Sequence, residues 1–191
     1  MSETILETAR LRLRRCTWDD LDHLVALDSD PEVMRYITGG VTTPRELYVE
    51  EVLPRWMGAE EHAGCGYWPA EDRQSGEFLG WFHLRPDRIE PEYLEIGYRL
   101  ARAHWGRGLA TEGSLALVER AFIDLGAEQV SARALLGNRA SQRVMEKCGL
   151  RCMGEFDFPV IMLGDHALVS NKAVKYAITR EQWRRKGPQD G

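Results

Sequence analysis

The sequence predicts an α/β fold, one domain with helices packed on a mixed sheet, and three observations carry that expectation. Short runs alternate polar and apolar residues with a period of two, as half-buried strands do. Residues 109–125 place Leu115, Val118, Phe122 and Leu125 at helical steps before Gly126. The two patterns interleave in the order β-α-α-β-β-β-α-β-α-β-β, which layers helices on a sheet. A chain of 191 residues, 43% of them apolar, suffices for one sizeable core, so residues 1–191 are read as a single domain.

The elements follow in order. Arg10 to Arg14 alternates so that Leu11 and Leu13 face inward, a first strand. Thr17-Trp18-Asp19-Asp20 resembles a capping box and opens a helix with Leu21, Leu24 and Val25 on one side, ending at Asp28-Ser29-Asp30-Pro31. Thr43 as N-cap, Pro44 at the first helical position and Glu46 predict a second helix through Val49 and Leu53, which Pro54 kinks or ends. From Gly64 to Leu100, aromatic and β-branched runs broken by turn residues predict two or three antiparallel strands. In the last of them Leu94, Ile96, Tyr98 and Leu100 share one face and Glu95, Gly97 and Arg99 the other, with Gly97 marking a bulge or a close backbone approach. After the 109–125 helix come a strand over Gln129 to Leu136 and a short helix over Arg139 to Cys148, with Ala140, Val144 and Cys148 stacked. Strands over Leu150 to Glu155 and Ala173 to Ile178 follow, separated by a long loop from Phe156 to Asn171.

Composition narrows the function classes. A formal charge of -5 and a pI near 5.6 disfavour a nucleic-acid partner, which needs clustered cations. No run of some twenty apolar residues and no basic, apolar leader is present, so a cytoplasmic protein without a membrane partner is expected. Cys16, Cys65, Cys148 and Cys152 form no CxxC pair and have no clustered histidines, which argues for reduced thiols and no metal.

Two stretches carry the chemistry. Trp105-Gly106-Arg107-Gly108-Leu109-Ala110-Thr111-Glu112 follows a strand and opens the best helix, so its glycines and free helix amides suit a pyrophosphate. A tight strand-to-helix turn alone would also explain the glycines. It is neither a P-loop nor a dinucleotide fingerprint, since no Gly-Lys-Ser/Thr follows and Thr111 replaces the third glycine. The second stretch, Asn138-Arg139-Ala140-Ser141 through Glu146-Lys147-Cys148-Gly149-Leu150, again joins a strand end to a helix start.

Together, in this order, the stretches resemble the core of the GNAT superfamily of N-acetyltransferases, with wording closest to the RimJ/RimL-like subgroup. The resemblance runs from Arg10 to Trp183, setting the core at about 10–183. It implies a mostly antiparallel mixed sheet with helices on both faces, a splayed central strand pair, and acetyl-CoA as cosubstrate with a primary amine as acceptor. The amine would attack directly in a ternary complex. By the same resemblance, Tyr98, Arg99 and Leu100 offer main-chain hydrogen bonds to the pantetheine arm. The loop Gly106, Arg107, Gly108, Leu109, Ala110 and Thr111 holds the pyrophosphate, and Asn138 and Ser141 meet the pantetheine.

Two departures from the family pattern matter. Ala103 stands where Gln or Arg is usual, leaving Arg102 or Arg107 to supply charge. Met145 stands where many members carry a tyrosine that protonates the leaving thiolate, so Ser141, one turn earlier, becomes the candidate acid. Its other reading is a first-turn helix residue. Glu95 is the candidate base for the amine, or else a polar residue on a solvated strand face, with Glu112 as runner-up. An alternative is a catalytically weak acyl-CoA-binding or regulatory module, and a third reading is a phosphate-binding interaction domain. The acceptor's identity and the oligomeric state, a homodimer included, stay open at this point.

Overall fold

The computed structural model describes residues 2–58, 64–158 and 172–186. Its centre is one eight-stranded sheet: β1 (Thr4–Glu7), β2 (Leu11–Arg14), β3 (Gly66–Asp72), β4 (Phe78–Pro86), β5 (Leu94–Leu100), β6 (Gln129–Leu135), β7 (Arg151–Asp157) and β8 (Lys172–Thr179). The order across the sheet is β1-β2-β3-β4-β5-β6-β8-β7, and only β5 and β6 run parallel. The helices are α1 (Leu21–Asp28), α2 (Pro31–Met34), α3 (Arg45–Leu47), α4 (Leu53–Met57), α5 (Leu109–Ile123), α6 (Arg139–Lys147) and α7 (Arg180–Lys186).

Strand alternation splits the core into two layers. On one face Leu11, Leu13, Phe82, Leu84, Ile96 and Leu100 pack against Leu117, Val118 and Phe122 of α5 and Met145 and Cys148 of α6. On the other, Trp81 packs against Leu24 and Leu27 of α1, Leu53 and Trp56 of α4, and Tyr48 between α3 and α4. Helices thus cover both faces, and the mixed, mostly antiparallel sheet agrees with the expected architecture.

Several elements differ from the sequence reading. An added hairpin strand, β1, precedes the predicted first strand. Asp30 does not simply end α1. Its side chain accepts from Glu32 N at 2.9 Å, with Pro31 at the first position, and so starts α2. The Thr17 opening is a 3-10 turn, Trp18–Asp20, in which Asp20 Oδ2 accepts from Thr17 N at 2.8 Å. Pro44 rather than Thr43 caps the second predicted helix, because Thr43 Oγ1 donates to Asp28 Oδ2 at 3.1 Å instead. Pro54 neither ends nor breaks that helix, since a π turn over Tyr48–Val52 widens the ladder just ahead of the ring that would strike it. On α6 the buried side is Gln142, Met145 and Cys148, while Ala140 is exposed. On α5 Leu117 and Val118 lie deeper than Leu115. Phe156 and Asp157 belong to β7, and the rest of the predicted long loop, 159–171, lies outside the described residues. A last helix, α7, also follows β8.

Gly113 sets how closely α5 lies on the sheet. A Cβ there would stand 2.5 Å from the Phe82 ring and 3.1 Å from Leu11 Cδ1, and both side chains are fully buried. Helix propensity alone favours alanine by about 1 kcal/mol. Overpacking outweighs it, so Gly113→Ala is expected to destabilise the protein by about 1–3 kcal/mol in denaturant unfolding. An unchanged or increased midpoint would show that the helix can lift without cost.

Candidate active site

The ladder between β5 and β6 is brief. Leu94 pairs with Val130 and Glu95 with Ser131, and beyond them the two strands have no register in common. The backbone edge of Ile96 to Leu100 therefore faces an opening wedge. Both strands point their carboxyl ends at its mouth, where α5 and α6 begin, the place where ligands of open α/β sheets bind. Tyr36, in the turn after α2, closes one side of the mouth, its ring 3.3 Å from where a Cβ on Gly137 would stand.

At the first helix start, Gly106 (φ 74) and Gly108 (φ 80) adopt left-handed conformations that favour glycine. A Cβ at Gly106 would meet nothing within 4 Å, and at Gly108 only Arg10 Nη2, at 3.5 Å. Gly108 is the N-cap of the fifteen-residue α5, and no side chain caps it. The amides of Leu109, Ala110 and Thr111 are thus free for an anion, beside an open cradle that side chains would fill. Arg10 braces this loop, donating from Nη1 to Arg107 O at 2.8 Å and from Nε to Glu112 Oε2 at 2.7 Å. Arg107 Nη1 lies 3.2 Å from His104 Nδ1.

Glu112 is consequently a clasp. It also accepts from Thr8 Oγ1 at 2.6 Å and Arg10 N at 2.8 Å. Partial burial works to raise its carboxyl, and these bonds outweigh that and hold it below the usual range. Every lone pair it needs as a base is already engaged.

At the second helix start, Asn138 caps α6, its Oδ1 accepting from Ser141 N at 3.1 Å. The cap leaves the Asn138 carboxamide N–H groups without a partner among the described residues. Ser141 Oγ lies 3.0 Å from Tyr98 Oη, which also approaches Ser141 O at 3.4 Å. Burial pushes the Tyr98 phenol well above its ordinary value, so it stays protonated. Tyr98 entered the sequence reading only for its main chain. Its phenol, reaching from a strand to a helix 43 positions later, had no local signal. Met145, at the usual tyrosine position, is buried in the core.

Arg99 and Leu100 contribute differently from their expected main-chain role alone. The Arg99 guanidinium pairs with Asp28 and stacks over Trp81, 5.0 Å from the ring centroid. The carbonyl of Leu100 accepts from Trp105 Nε1 at 2.7 Å.

Glu95 is buried rather than on a solvated face. Arg85 abuts its Oε2, and Arg133 Nη1 lies 3.3 Å from its Oε1. Burial raises its carboxyl above the usual value, against the pull of Arg85 and Arg133 and with the help of Asp87. Gly97, two residues on, is neither bulged nor approached by backbone: it pairs regularly with His83, whose ring atom Cε1 would be 2.5 Å from a Cβ placed there. His83 is 9% exposed, and neither ring nitrogen has a hydrogen-bond partner. Sequence reasoning missed it, because its closeness to Gly97 depends on cross-strand register.

Cys148 is buried in the core. Burial pushes its thiol up to about 12, and it points its weak donor at Thr111 O, 3.7 Å away. A cleft of about 550 Å³ lined by His23, Asp30, Phe78, Arg102 and Ala103 among others lies outside the wedge; of the residues the sequence offered for the cosubstrate it takes only Arg102, which pairs with Asp30 at 3.1 Å. Among the described residues no cluster of His, Cys, Asp or Glu suits a metal ion, and no helix is long and apolar enough to cross a membrane.

Comparison with known proteins agrees with this geometry. The acetyltransferase (GNAT) domain family matches residues 10–151. The chain is 36% identical over 157 residues to the protein YkkB of Bacillus subtilis (strain 168), covering 78% of this chain and 86% of that one. It is 30% identical over 197 residues to the FsC-acetyl coenzyme A-N(2)-transacetylase of Aspergillus fumigatus, covering 96% and 80%. A GNAT-family acetyltransferase structure from Bacillus anthracis superposes with a TM-score of 0.76 at 25% identity, covering 92% and 98%. With a family match over most of its length, and with parted strands that meet the uncapped start of α5, the chain belongs to the GNAT N-acetyltransferases.

Proposed function

We propose that this chain transfers the acetyl group of acetyl-CoA to a primary amine, of a small molecule or a protein N-terminus, by direct attack within a ternary complex. The observation that carries the reading is the wedge between β5 and β6, with the uncapped start of α5 and the Asn138-capped start of α6 at its mouth. The free amides after Gly108 suit the pyrophosphate, and the exposed edge of Tyr98 to Leu100, with the Asn138 carboxamide opposite, suits the amide-rich pantetheine arm. The printed name of the Aspergillus relative, a transacetylase acting at a nitrogen, supports the same chemistry. The RimJ/RimL-like subgroup is part of the proposal and rests on the wording of both motifs, the one at Gly106 and the one at Asn138.

The residues divide the reaction. As the amine nitrogen bonds to the thioester carbonyl carbon, its proton passes to Glu95 directly or through water. As the carbon–sulfur bond breaks, the sulfur leaves as thiolate with the electron pair of that bond, stabilised by a hydrogen bond from Ser141 Oγ, which in turn accepts one from Tyr98 Oη; no proton leaves either hydroxyl. The two hydroxyls at 3.0 Å supply the donor that Met145 does not.

Three outcomes follow. Gly106→Ala places a methyl in the anion cradle without touching a neighbour and strains a left-handed backbone position by about 1–2 kcal/mol, so acetyl-CoA affinity by calorimetry should fall about tenfold or more while the protein stays folded. Unaltered affinity would remove the loop from the site. Ser141→Ala should lower kcat by roughly tenfold to a hundredfold, and Tyr98→Phe by less, with little change in acetyl-CoA affinity. Because the hydroxyls act in series, the double variant should be no slower than Ser141→Ala; fully multiplicative losses, or wild-type turnover, would refute this hydrogen-bonded chain. Glu95 works only ionised, and its raised carboxyl value means that turnover declines as pH falls through that value. Glu95→Gln should therefore cost most between that value and the amine's own titration, where the wild-type carboxylate is ionised and the amine still charged, and little below it, where wild type is itself protonated, or at high pH, where the amine is already free. The variant leaves Arg85 and Arg133 facing a neutral group, so its stability is measured alongside. A pH-independent ratio to wild type excludes the base role.

A further inference from the structure

Where β5 and β6 part, charged side chains from four strands and one turn form a connected chain of ion pairs. Arg85 on β4 meets Glu95 on β5, Arg133 on β6 meets Glu95 together with Asp87 and Glu90 in the turn between β4 and β5, and Lys175 on β8 meets Glu90. The cations Arg85, Arg133 and Lys175 match the anions Asp87, Glu90 and Glu95 one for one. His83, two residues from Arg85 on the same face of β4, is held neutral by burial first and then by Arg85, Arg88 and Arg99, and so adds no charge.

Arg133 is unequally shared within this set. Its Nη1 stands 2.7 Å from Asp87 Oδ2 but 3.3 Å from Glu95 Oε1, and its Nη2 stands 3.6 Å from Glu90 Oε2. Asp87 is the anchored partner. Its side chain is wholly buried, Oδ1 accepts from the Ile89 and Glu90 amides at 2.8 and 3.2 Å, and Oδ2 accepts from Ser131 Oγ at 2.6 Å. Burial works to raise its carboxyl, and the bonds from Arg133, Ser131 and Ile89 outweigh that and hold it below the usual range. It therefore stays charged while Glu95 gains or loses a proton.

Building on the reading of Glu95 as the base, we propose that Asp87 is a positioning residue: it holds Arg133 away from a close pair with Glu95, so that the carboxylate is steadied by the guanidinium without being tied to it. A carboxylate paired with Arg133 as tightly as Asp87 is would be too weak a base for an amine. With no cation beside it, the same carboxyl would stay protonated in this interior. Competition for one guanidinium places Glu95 between those limits, and the two carboxylates titrate as a coupled pair. Glu90 draws on the other arm of Arg133, but it is partly exposed and already met by Lys175, so its pull is weaker.

The test reads the acidic limb of kcat/KM against pH, for the full chain with acetyl-CoA and the best acceptor from a panel of alkylamines, amino-acid amides and peptides. Asp87→Asn removes the competing charge, turns Arg133 toward Glu95 and should move the limb about one unit to lower pH, whereas Arg133→Gln should move it about one unit higher. Both variants open a buried pair and are expected to lose stability. Glu90→Gln leaves the pair of Asp87 and Arg133 intact and should move the limb down by about 0.3 units. A merely structural network would scale the profile and leave its midpoint in place. If Glu95→Gln abolishes the limb while Asp87→Asn and Glu90→Gln leave its midpoint unmoved or raise it, the inference is overturned and the base reading stands. If Glu95→Gln keeps the wild-type limb, or acetyl-CoA binds without acetylation of any amine, the base reading falls and the inference with it.

Discussion

Two ladder positions, Leu94 with Val130 and Glu95 with Ser131, hold β5 to β6, and the site exists because the strands part beyond them. A buried set of charges fixes where the parting begins. Asp87 accepts from Ser131 Oγ at 2.6 Å and pairs with Arg133 at 2.7 Å, and Arg133 also reaches Glu95 at 3.3 Å. Glu90 adds contacts to Arg133 and Lys175. Such a network contributes little net stability, because desolvating its charges offsets their attraction. It is nonetheless costly to break by halves, and so it defines one register for a parallel pair that would otherwise slip or zip further.

The rest of the wedge is held open from outside. Each strand leads to a helix beyond its carboxyl end; the start of α5 carries no side-chain cap, and that of α6 is capped by Asn138 alone. Arg10 and Glu112 tie the loop of the first to the strand pair β1–β2, and Gln142 ties the second by donating from Nε2 to Leu136 O at 2.8 Å. Gly113 lets α5 lie flat against Phe82, so the free amides of its first turn stand at the height of the sheet edge. A helix lifted by one methyl would carry them away from the mouth.

What was legible in the sequence is what is local. The alternation of Leu11 and Leu13, the helical steps of residues 109–125 and both glycine- and asparagine-led helix starts each depend on neighbours within a few positions. Two missed elements also had local signals. Thr179 and Gln182 form a reciprocal capping box that opens α7, with bonds of 3.1 and 3.2 Å, and Asp30-Pro31 is a cap followed by a first-position proline. The remainder had none. Glu95 reads as an exposed strand carboxylate until Arg133, 38 positions later, and Arg85 across the ladder are seen to enclose it. The Tyr98 phenol looks like a core ring until α6 folds over it. Periodicity assigns a residue to a face and says nothing of which distant side chain shares that face.

β5 separates two chemistries within two residues. Tyr98 points to the α5 and α6 side, where its phenol meets Ser141, and Gly97 presents bare backbone to the other side, where the His83 ring lies against it. A side chain at 97 would displace the imidazole, and a shorter residue at 98 would leave Ser141 without a hydroxyl behind it. The hydroxyls proposed to face the leaving sulfur and the Glu95 carboxylate proposed to take the amine's proton therefore stand on opposite faces of one strand, with its backbone between them. Burial keeps the phenol protonated on one face, and burial beside cations keeps the imidazole neutral on the other. Had phenol and imidazole shared one face within hydrogen-bond reach, the phenol would have donated to the imidazole instead of to Ser141.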